Sequence, residues 1–158
     1  MKKREMRNEK WLTRLCCVAL FLISQCLFLT SCTKDNICDT PFGTGGTFNT
    51  LLPEYSALQT VGGTKIILLD QLGFEVGYRG IFVRRISFGE FLAFECACPN
   101  CHEVRLEPLE GWDGDVLECP DCHSCYETIN GQPLEGAASG CPLYQYYTQY
   151  DGVFLEIY

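Results

Sequence analysis

The sequence predicts an all-β domain, a small antiparallel sandwich or barrel, and three observations support this fold class. From about residue 51 onward, short apolar and β-branched runs alternate with turn-forming segments. The dipeptides Asn130-Gly131 and Asp151-Gly152 suit tight hairpin turns, because Asn, Asp and Gly tolerate positive φ. No segment repeats apolar residues at helical spacing over a convincing length. Strands this closely spaced favour a small sandwich or barrel.

The first 31 residues are predicted to be a signal peptide of the lipoprotein type. A basic segment, MKKREMRNEKWLTR, precedes the apolar run LCCVALFLISQCLFL, which is short for a membrane span. The following LTSC, at 29–32, resembles the lipobox of bacterial lipoproteins. This resemblance implies cleavage after Ser31 and acylation of Cys32, and several acyl chains give firm anchoring. The alternatives are a soluble secreted protein cleaved near the same place and a retained signal anchor.

The chain that follows the signal peptide is strongly acidic. Six of the twelve Lys and Arg and two of the twenty Asp and Glu precede Cys32, so residues 32–158 carry a formal net charge of −12. A surface of this charge repels nucleic acid and anionic lipid. We therefore expect no nucleic-acid partner, and we expect the acylated Cys32 rather than a basic patch to hold the protein at a bilayer. The expected location is the bacterial cell envelope, on the outer membrane, facing the periplasm or the cell surface.

The remaining chain divides into a predicted tether and a predicted domain. Residues 32–50 are polar and rich in Gly and Thr, which is typical of a flexible linker. Residues 51–158 form the domain. A short helical turn is predicted near Pro53–Leu58. The predicted strands lie at 64–70, 79–88, 91–98, 104–110, 115–119, 125–129, 144–150 and 153–158.

Two nearly identical words, CPNCH at 98–102 and CPDCH at 119–123, carry the chemistry of this chain. In each word two cysteines are separated by two residues, one of them proline, which is the form of a zinc knuckle. Cys98, Cys101, Cys119 and Cys122 together supply four thiolates, enough for a closed tetrahedral site. The loops at 96–102 and 119–125 are therefore predicted to bind one metal between them.

Haem and disulfides are the other interpretations of these words. CxxCH is also the c-type haem attachment motif, and it occurs twice. However, His102 and His123 both belong to the motifs, and both methionines, Met1 and Met6, lie in the signal peptide, so no usual distal ligand remains. Disulfides within or between the words remain possible in an oxidising compartment.

The segment from Thr60 to Tyr158 resembles the Rieske domain. The resemblance is clearest in CPDCHSCYETINGQPLEGAASGCPLYQYYTQYDGVFLEIY, which is similar to the Rieske run of C-P-x-H, a Ser, an aromatic residue, a Gly-rich turn, a small-residue segment, "PL" and a last strand. It implies a small antiparallel β sandwich with a zinc-ribbon-like subdomain made of two metal-binding loops. It also implies a [2Fe-2S] cluster as the family's cofactor.

The ligands depart from the Rieske pattern, in which each loop supplies one cysteine and one histidine. On this chain both histidine positions hold cysteine, and His102 and His123 are displaced from them. The first loop leaves a choice between Cys96 with Cys98 and Cys98 with Cys101, and we prefer the second because it matches the CPxC repeat. Thiolates in place of imidazoles make a cluster more negative and lower its potential.

Four further cysteines of the domain and tether, Cys38, Cys96, Cys125 and Cys141, are expected to form two disulfides, with pairing undetermined; any of them could instead be a free thiol. No catalytic residue is predicted. Trp112 is expected to be buried beneath the loop between the two words.

Taken together, the sequence predicts a lipid-anchored, non-enzymatic protein with structural zinc. The alternative is an electron-transfer protein with a [2Fe-2S] cluster on the same loops and a redox or envelope protein as partner.

Overall fold

The computed structural model describes residues 38–158. The predicted signal peptide and Cys32 lie outside the described residues. Within 38–158 the secondary structure is ten strands and one 3-10 helix. The strands are β1 Gly46–Asn49, β2 Thr64–Ile67, β3 Ile81–Arg85, β4 Phe91–Glu95, β5 Glu107–Pro108, β6 Val116–Glu118, β7 Cys125–Glu127, β8 Gln145–Tyr146, β9 Thr148–Tyr150 and β10 Phe154–Ile157, and the 3-10 helix is Pro53–Gln59. In this part of the chain, no helix combines the length and the apolar character needed to cross a bilayer.

The strands form three antiparallel sheets. Their orders are β1-β10-β9, β2-β3-β4-β8 and β5-β6-β7. Strands β8 and β9 follow one another with Tyr147 between them, so a single stretch of chain passes from the second sheet to the first. Side chains of both sheets share one core, which contains Phe48 of β1, Leu155 of β10 and Val83 of β3. These two sheets therefore form a sandwich. The third sheet carries the loops at 96–102 and 119–125, which are called the metal loops because of their predicted role.

Strand β3 separates two hydrophobic cores. Because side chains alternate across a strand, Ile81 and Val83 point into the core between the sheets, whereas Phe82 points to the opposite face. There Phe82 lies opposite Phe94 of β4, and both belong to a second core that also includes Cys98 and other buried side chains of the metal loops and third sheet. A strand that is covered on both faces reads as a continuous apolar run, as IFV does here.

A buried carboxylate fixes the end of β4, where the first metal loop begins. Glu95 is 0% exposed. Its two oxygens accept hydrogen bonds from the backbone N–H of Tyr78 at 2.7 Å, the backbone N–H of Arg79 at 2.8 Å and the hydroxyl of Tyr146 at 2.6 Å. The backbone N–H of Ala97 also donates to a carboxylate oxygen of Glu95, at 3.1 Å. A buried charge is tolerated when its lone pairs are satisfied in this way, so Glu95 ties β4, β8 and the 78–79 turn together.

The predicted all-β, antiparallel fold class is confirmed. The helical turn predicted near Pro53–Leu58 is a 3-10 helix over Pro53–Gln59. The two predicted hairpin turns are present, with positive φ at Gly131 and Gly152. Several strands are shorter than predicted; the run at 64–70, for example, is strand only to Ile67.

Two sequence-based expectations are wrong. The tether predicted for 32–50 does not extend to residue 50, because Gly46–Asn49 pairs with β10 and places Phe48, 0% exposed, in the main core. One apolar side chain within the four residues GTFN is too weak a signal for a strand. Trp112, expected to be buried, is 53% exposed, because it lies in the surface turn at 110–114 between β5 and β6.

Candidate metal centre

The structure brings the four predicted cysteines together. The sulfurs of Cys98, Cys101, Cys119 and Cys122 all lie within 4.8 Å of one another. The Cys98 and Cys122 sulfurs are 3.7 Å apart, and the Cys101 and Cys119 sulfurs are 3.9 Å apart. Each of these two contacts joins one loop to the other, so the four sulfurs form one cluster shared by both loops.

The repeated sequence words fold into the same turn twice. In the first loop the N–H of His102 donates to the carbonyl of Cys98 at 2.8 Å, and in the second the N–H of His123 donates to the carbonyl of Cys119 at 2.9 Å. Both histidines adopt left-handed backbone conformation, with φ of 54° and 56°. Few residues other than glycine adopt this conformation, although histidine is enriched in it several-fold. The residue after each CPxC is therefore determined first by the backbone conformation of the turn, and the imidazole need not take part in binding.

Neither histidine side chain belongs to the sulfur cluster. The Nε2 of His102 lies 3.0 Å from the carbonyl oxygen of Pro99, and the Nδ1 of His123 lies 2.9 Å from a carboxylate oxygen of Glu118. Both rings are exposed. Among the described residues, the group of side chains close enough to share a metal ion here consists of cysteines alone.

Backbone hydrogen bonds hold each loop at the edge of the third sheet. The first loop follows β4, and the N–H of Cys98 donates to the carbonyl of Val104 at 2.9 Å. The second loop connects β6 to β7, and the N–H of Cys119 donates to the carbonyl of Ser124 at 3.0 Å. The first cysteine of each word is buried and the second is half-buried. The cluster therefore lies at the surface of the second core, with one side shielded by apolar packing.

The electrostatics of the cluster call for a cation. Burial raises the pKa of the Cys98 thiol, and burial together with the neighbouring sulfurs raises the pKa of Cys101 to about 12. Burial acts in the same direction on Cys122, but hydrogen bonds from the Ser124 hydroxyl and backbone lower its pKa to about 6. Several thiolates at these separations repel one another unless a positive ion lies between them.

Two buried hydroxyl groups lie beside the sulfurs. The Oγ of Ser124 is 3.2 Å from the Cys122 sulfur and accepts the N–H of Ala138 at 2.8 Å. The hydroxyl of Tyr126 is buried without a hydrogen-bond partner, and burial followed by the nearby Cys98 sulfur raises the pKa of this phenol. An unpaired buried hydroxyl is costly unless an acceptor is supplied, and a metal-bound thiolate at Cys98 is such an acceptor.

The sulfur positions fit a single tetrahedral ion. With Zn–S bonds of about 2.3 Å, the sulfurs of a tetrahedral site are about 3.8 Å apart. The observed S···S separations of 3.7 Å and 3.9 Å match this distance. The remaining pairs of sulfurs lie no more than 4.8 Å apart, so a small contraction of the site would bring all four to tetrahedral spacing. The donor set is all sulfur, which suits zinc or an iron–sulfur cluster and does not suit calcium or magnesium.

The other cysteines lie apart from this cluster. Cys96, the alternative ligand of the first loop, is 0% exposed and packs in the second core without joining the four sulfurs. Cys38 and Cys141 form a disulfide across 103 residues of sequence. The expected second disulfide is not formed within 38–158, where Cys96 and Cys125 are free thiols. Their strand geometry explains this, since one lies at the end of β4 and the other in β7 of a different sheet.

Comparisons with known proteins give similarity to solved structures alone. No protein-family model and no curated protein matches the chain. A complex of reduced oxygenase and oxidized ferredoxin in carbazole 1,9a-dioxygenase is similar at 21% identity and a TM-score of 0.39, over 63% of this chain and 83% of that one. A complex of an oxygenase variant with ferredoxin from the same system is similar at 19% identity and a TM-score of 0.43, over 74% of this chain and 29% of that one.

Proposed function

We propose that this chain is a lipid-anchored protein of the bacterial cell envelope whose Rieske-like domain binds a structural zinc ion and has no catalytic role of its own. The observation that carries the proposal is the convergence of Cys98, Cys101, Cys119 and Cys122 to within 4.8 Å. Four thiolates complete the coordination of zinc and leave no open position for water or substrate, which is the arrangement of structural rather than catalytic zinc sites.

The role of the ion would be to join two loops that the polypeptide alone holds weakly. Strands β5, β6 and β7 contain only two or three residues each. Strands this short form few inter-strand hydrogen bonds, so a metal that links the loop after β4 to the loop after β6 would supply much of the free energy that keeps this sheet folded. For structural zinc sites this free energy is on the order of 10 kcal/mol.

The membrane location in this proposal depends on the sequence. The lipobox-like LTSC and the apolar run before it support acylation of Cys32. An acyl anchor fits a chain of net charge −12 after Ser31, which has no basic patch to hold it at an anionic surface. The outer membrane, with the domain in the periplasm or at the cell surface, is the location we propose.

The second candidate function is electron transfer through a [2Fe-2S] cluster held by the same four cysteines. The resemblance of Thr60–Tyr158 to the Rieske domain supports it. So do the hydroxyls of Ser124 and Tyr126 beside the sulfurs, since hydrogen bonds to cluster sulfurs set reduction potentials. In that case a redox protein of the envelope would dock on the exposed loops. The geometry favours zinc, because a cluster with two irons needs the two pairs of sulfurs further apart than a single ion does.

One experiment separates these functions. The full chain is expressed in a bacterial host, purified from its membranes, and assayed for zinc, iron and acid-labile sulfide together with a visible absorption spectrum. The proposal predicts a colourless protein with one zinc per chain. A brown, reducible protein with stoichiometric iron and sulfide would replace it with the second candidate. A chain without metal, with the four cysteines oxidised, would contradict both.

A further inference from the structure

Large exposed apolar side chains are concentrated on a single hairpin between β2 and β3. Five of its large apolar side chains face solvent: Leu68 (44% exposed), Leu69 (50%), Leu72 (81%), Phe74 (66%) and Tyr78 (43%). Isolated exposed apolar residues are ordinary, but a concentration of them in eleven consecutive residues marks an interaction surface. We call residues 68–78 the apolar hairpin.

The apolar hairpin is built as a rigid turn. Asp70 organises its tip, because its Oδ1 accepts the N–H of Leu72 at 2.9 Å and the N–H of Phe74 at 2.8 Å. The N–H of Asp70 donates back to the carbonyl of Phe74 at 2.8 Å. Leu72 and Phe74 are therefore held outward by the fold. Presenting two large apolar side chains to water in a defined geometry costs free energy that a binding partner would recover.

The base of the apolar hairpin contacts the segment through which the chain leaves the domain. The N–H of Gly77 donates to the carbonyl of Thr44 at 2.7 Å, and the Thr44 hydroxyl donates to the carbonyl of Glu75 at 3.4 Å. The two backbones touch: a Cβ on Gly43 would lie 2.1 Å from the carbonyl carbon of Gly77. The N-terminal segment and the hairpin thus occupy one side of the domain.

Charged side chains of both signs lie around the base of the apolar hairpin. Lys65, Arg79 and Arg105 line the cavities on its two sides together with four acidic residues, Glu54, Asp70, Glu75 and Glu103. Arg79 is paired with Glu103 and Arg105 with Glu107. Apolar side chains at a tip with polar and charged groups behind them match the layering of a bilayer surface, where hydrocarbon lies beneath polar headgroups.

We propose that the apolar hairpin inserts into the surface of the lipid bilayer beside the acyl anchor, with Leu72 and Phe74 as the inserted side chains. This deepens the proposed function and rests on the acylation of Cys32. Five residues separate Cys32 from Cys38, which is fixed to the domain by its disulfide, so the chain reaches at most about 20 Å between them. An anchor this short holds the domain against the bilayer, and the apolar hairpin is the surface suited to meet it.

The test uses the full, acylated chain in vesicles of phosphatidylethanolamine and phosphatidylcholine, with tryptophan as the depth probe. Trp112 is first replaced by phenylalanine, so that after signal cleavage each variant carries one indole. Leu72→Trp reports on the apolar hairpin. Phe88→Trp is the matched control, because Phe88 is 87% exposed and lies in the turn at the opposite end of β3.

Co-flotation with the vesicles measures whether the anchor holds the protein at the bilayer. Quenching by brominated lipid measures whether the tryptophan at position 72 or 88 enters the bilayer. We expect both variants to float, with at least about twofold quenching at position 72 and little at position 88, since interfacial side chains reach the acyl boundary. Floating protein with equal quenching, or none, at the two positions would overturn the hairpin contact and leave the anchor standing. Protein that does not float would remove the anchor and this inference with it.

Discussion

At the scale of single residues, Cys96 and Cys101 lie in different surroundings, although the sequence offers each as the second metal ligand of the first loop. Cys101 is half-buried and its sulfur lies 3.9 Å from that of Cys119, whereas Cys96 is buried among Phe82 and Phe94. Strand alternation does not explain why Cys101 reaches the cluster and Cys96 does not. The turn after Pro99 explains it, because this turn brings Cys101 back towards the second loop. The CPxC repeat predicted this, and no other signal in the sequence does.

This difference predicts opposite results for two matched substitutions. Cys101→Ala should lower zinc affinity by more than about 100-fold. Losing a ligand costs more than losing a hydrogen-bond partner of a ligand, which typically costs about 10- to 100-fold. Cys96→Ala should keep one zinc per chain and lower only thermal stability, since it leaves a small cavity in the core. Metal analysis and chelator competition on both variants check this. Retention of metal by the first and loss by the second would transfer the ligand role to Cys96.

The unpaired hydroxyl of Tyr126 gives a second prediction at this scale. If Tyr126 donates to a metal-bound thiolate of Cys98, Tyr126→Phe should weaken zinc binding by roughly 10-fold. The metal-free variant should be no less stable than the metal-free parent, because the substitution removes a buried group that has no partner. Thermal denaturation of both proteins with and without zinc measures this. Equal loss of stability in both states would indicate that the hydroxyl has a structural role alone.

At the scale of elements, the sequence predicted the strands better than their lengths and order. Alternation predicted β3 and β10, with Leu155 and Ile157 on one buried face, because period-two patterning is a local property. The passage of the chain at Tyr147 from one sheet to the other is not local, and 144–150 was predicted as a single strand. Likewise β1 depends on one side chain, Phe48, whose burial is decided by the distant β10.

The turn after β7 illustrates how one element positions the second core. Gly131 has φ of +69°, and a Cβ there would lie 2.8 Å from the ring of Phe94. Gly131→Ala should therefore destabilise the domain by roughly 1–3 kcal/mol, through strain and overpacking. Gly140→Ala is the matched control, since nothing lies within 4 Å of the position of its Cβ. Urea denaturation measures both; equal stabilities would show that the ring moves aside without cost.

At the scale of the whole molecule, the fold and the centre depend on each other. The second core of the sandwich ends in the sulfurs of Cys98 and Cys119, so the packing of the domain continues directly into the cluster. The sequence could place four cysteines in two loops, since spacing is visible in it. It could not show that Ser124, Tyr126 and Glu95 would orient those loops, because their roles arise from contacts between distant parts of the chain.

Metal binding by the whole molecule should release protons. The pKa of Cys101 is raised to about 12, and that of Cys98 is also raised, so both thiols carry protons at neutral pH that zinc must displace. Because the bound form is the deprotonated one, affinity should fall as pH falls, with no reversal between pH 8 and 6. Calorimetry in buffers of different ionisation enthalpy measures the release. Binding without proton release would show that the thiolates exist before the metal arrives.

The most direct test of the account is X-ray absorption at the metal edge of the full chain, purified from membranes with its own metal. We predict a zinc edge with four sulfur neighbours at about 2.3 Å and no neighbouring metal. Nitrogen neighbours, fewer than four sulfurs, or an iron edge with a second iron close by would contradict a single ion shared by Cys98, Cys101, Cys119 and Cys122.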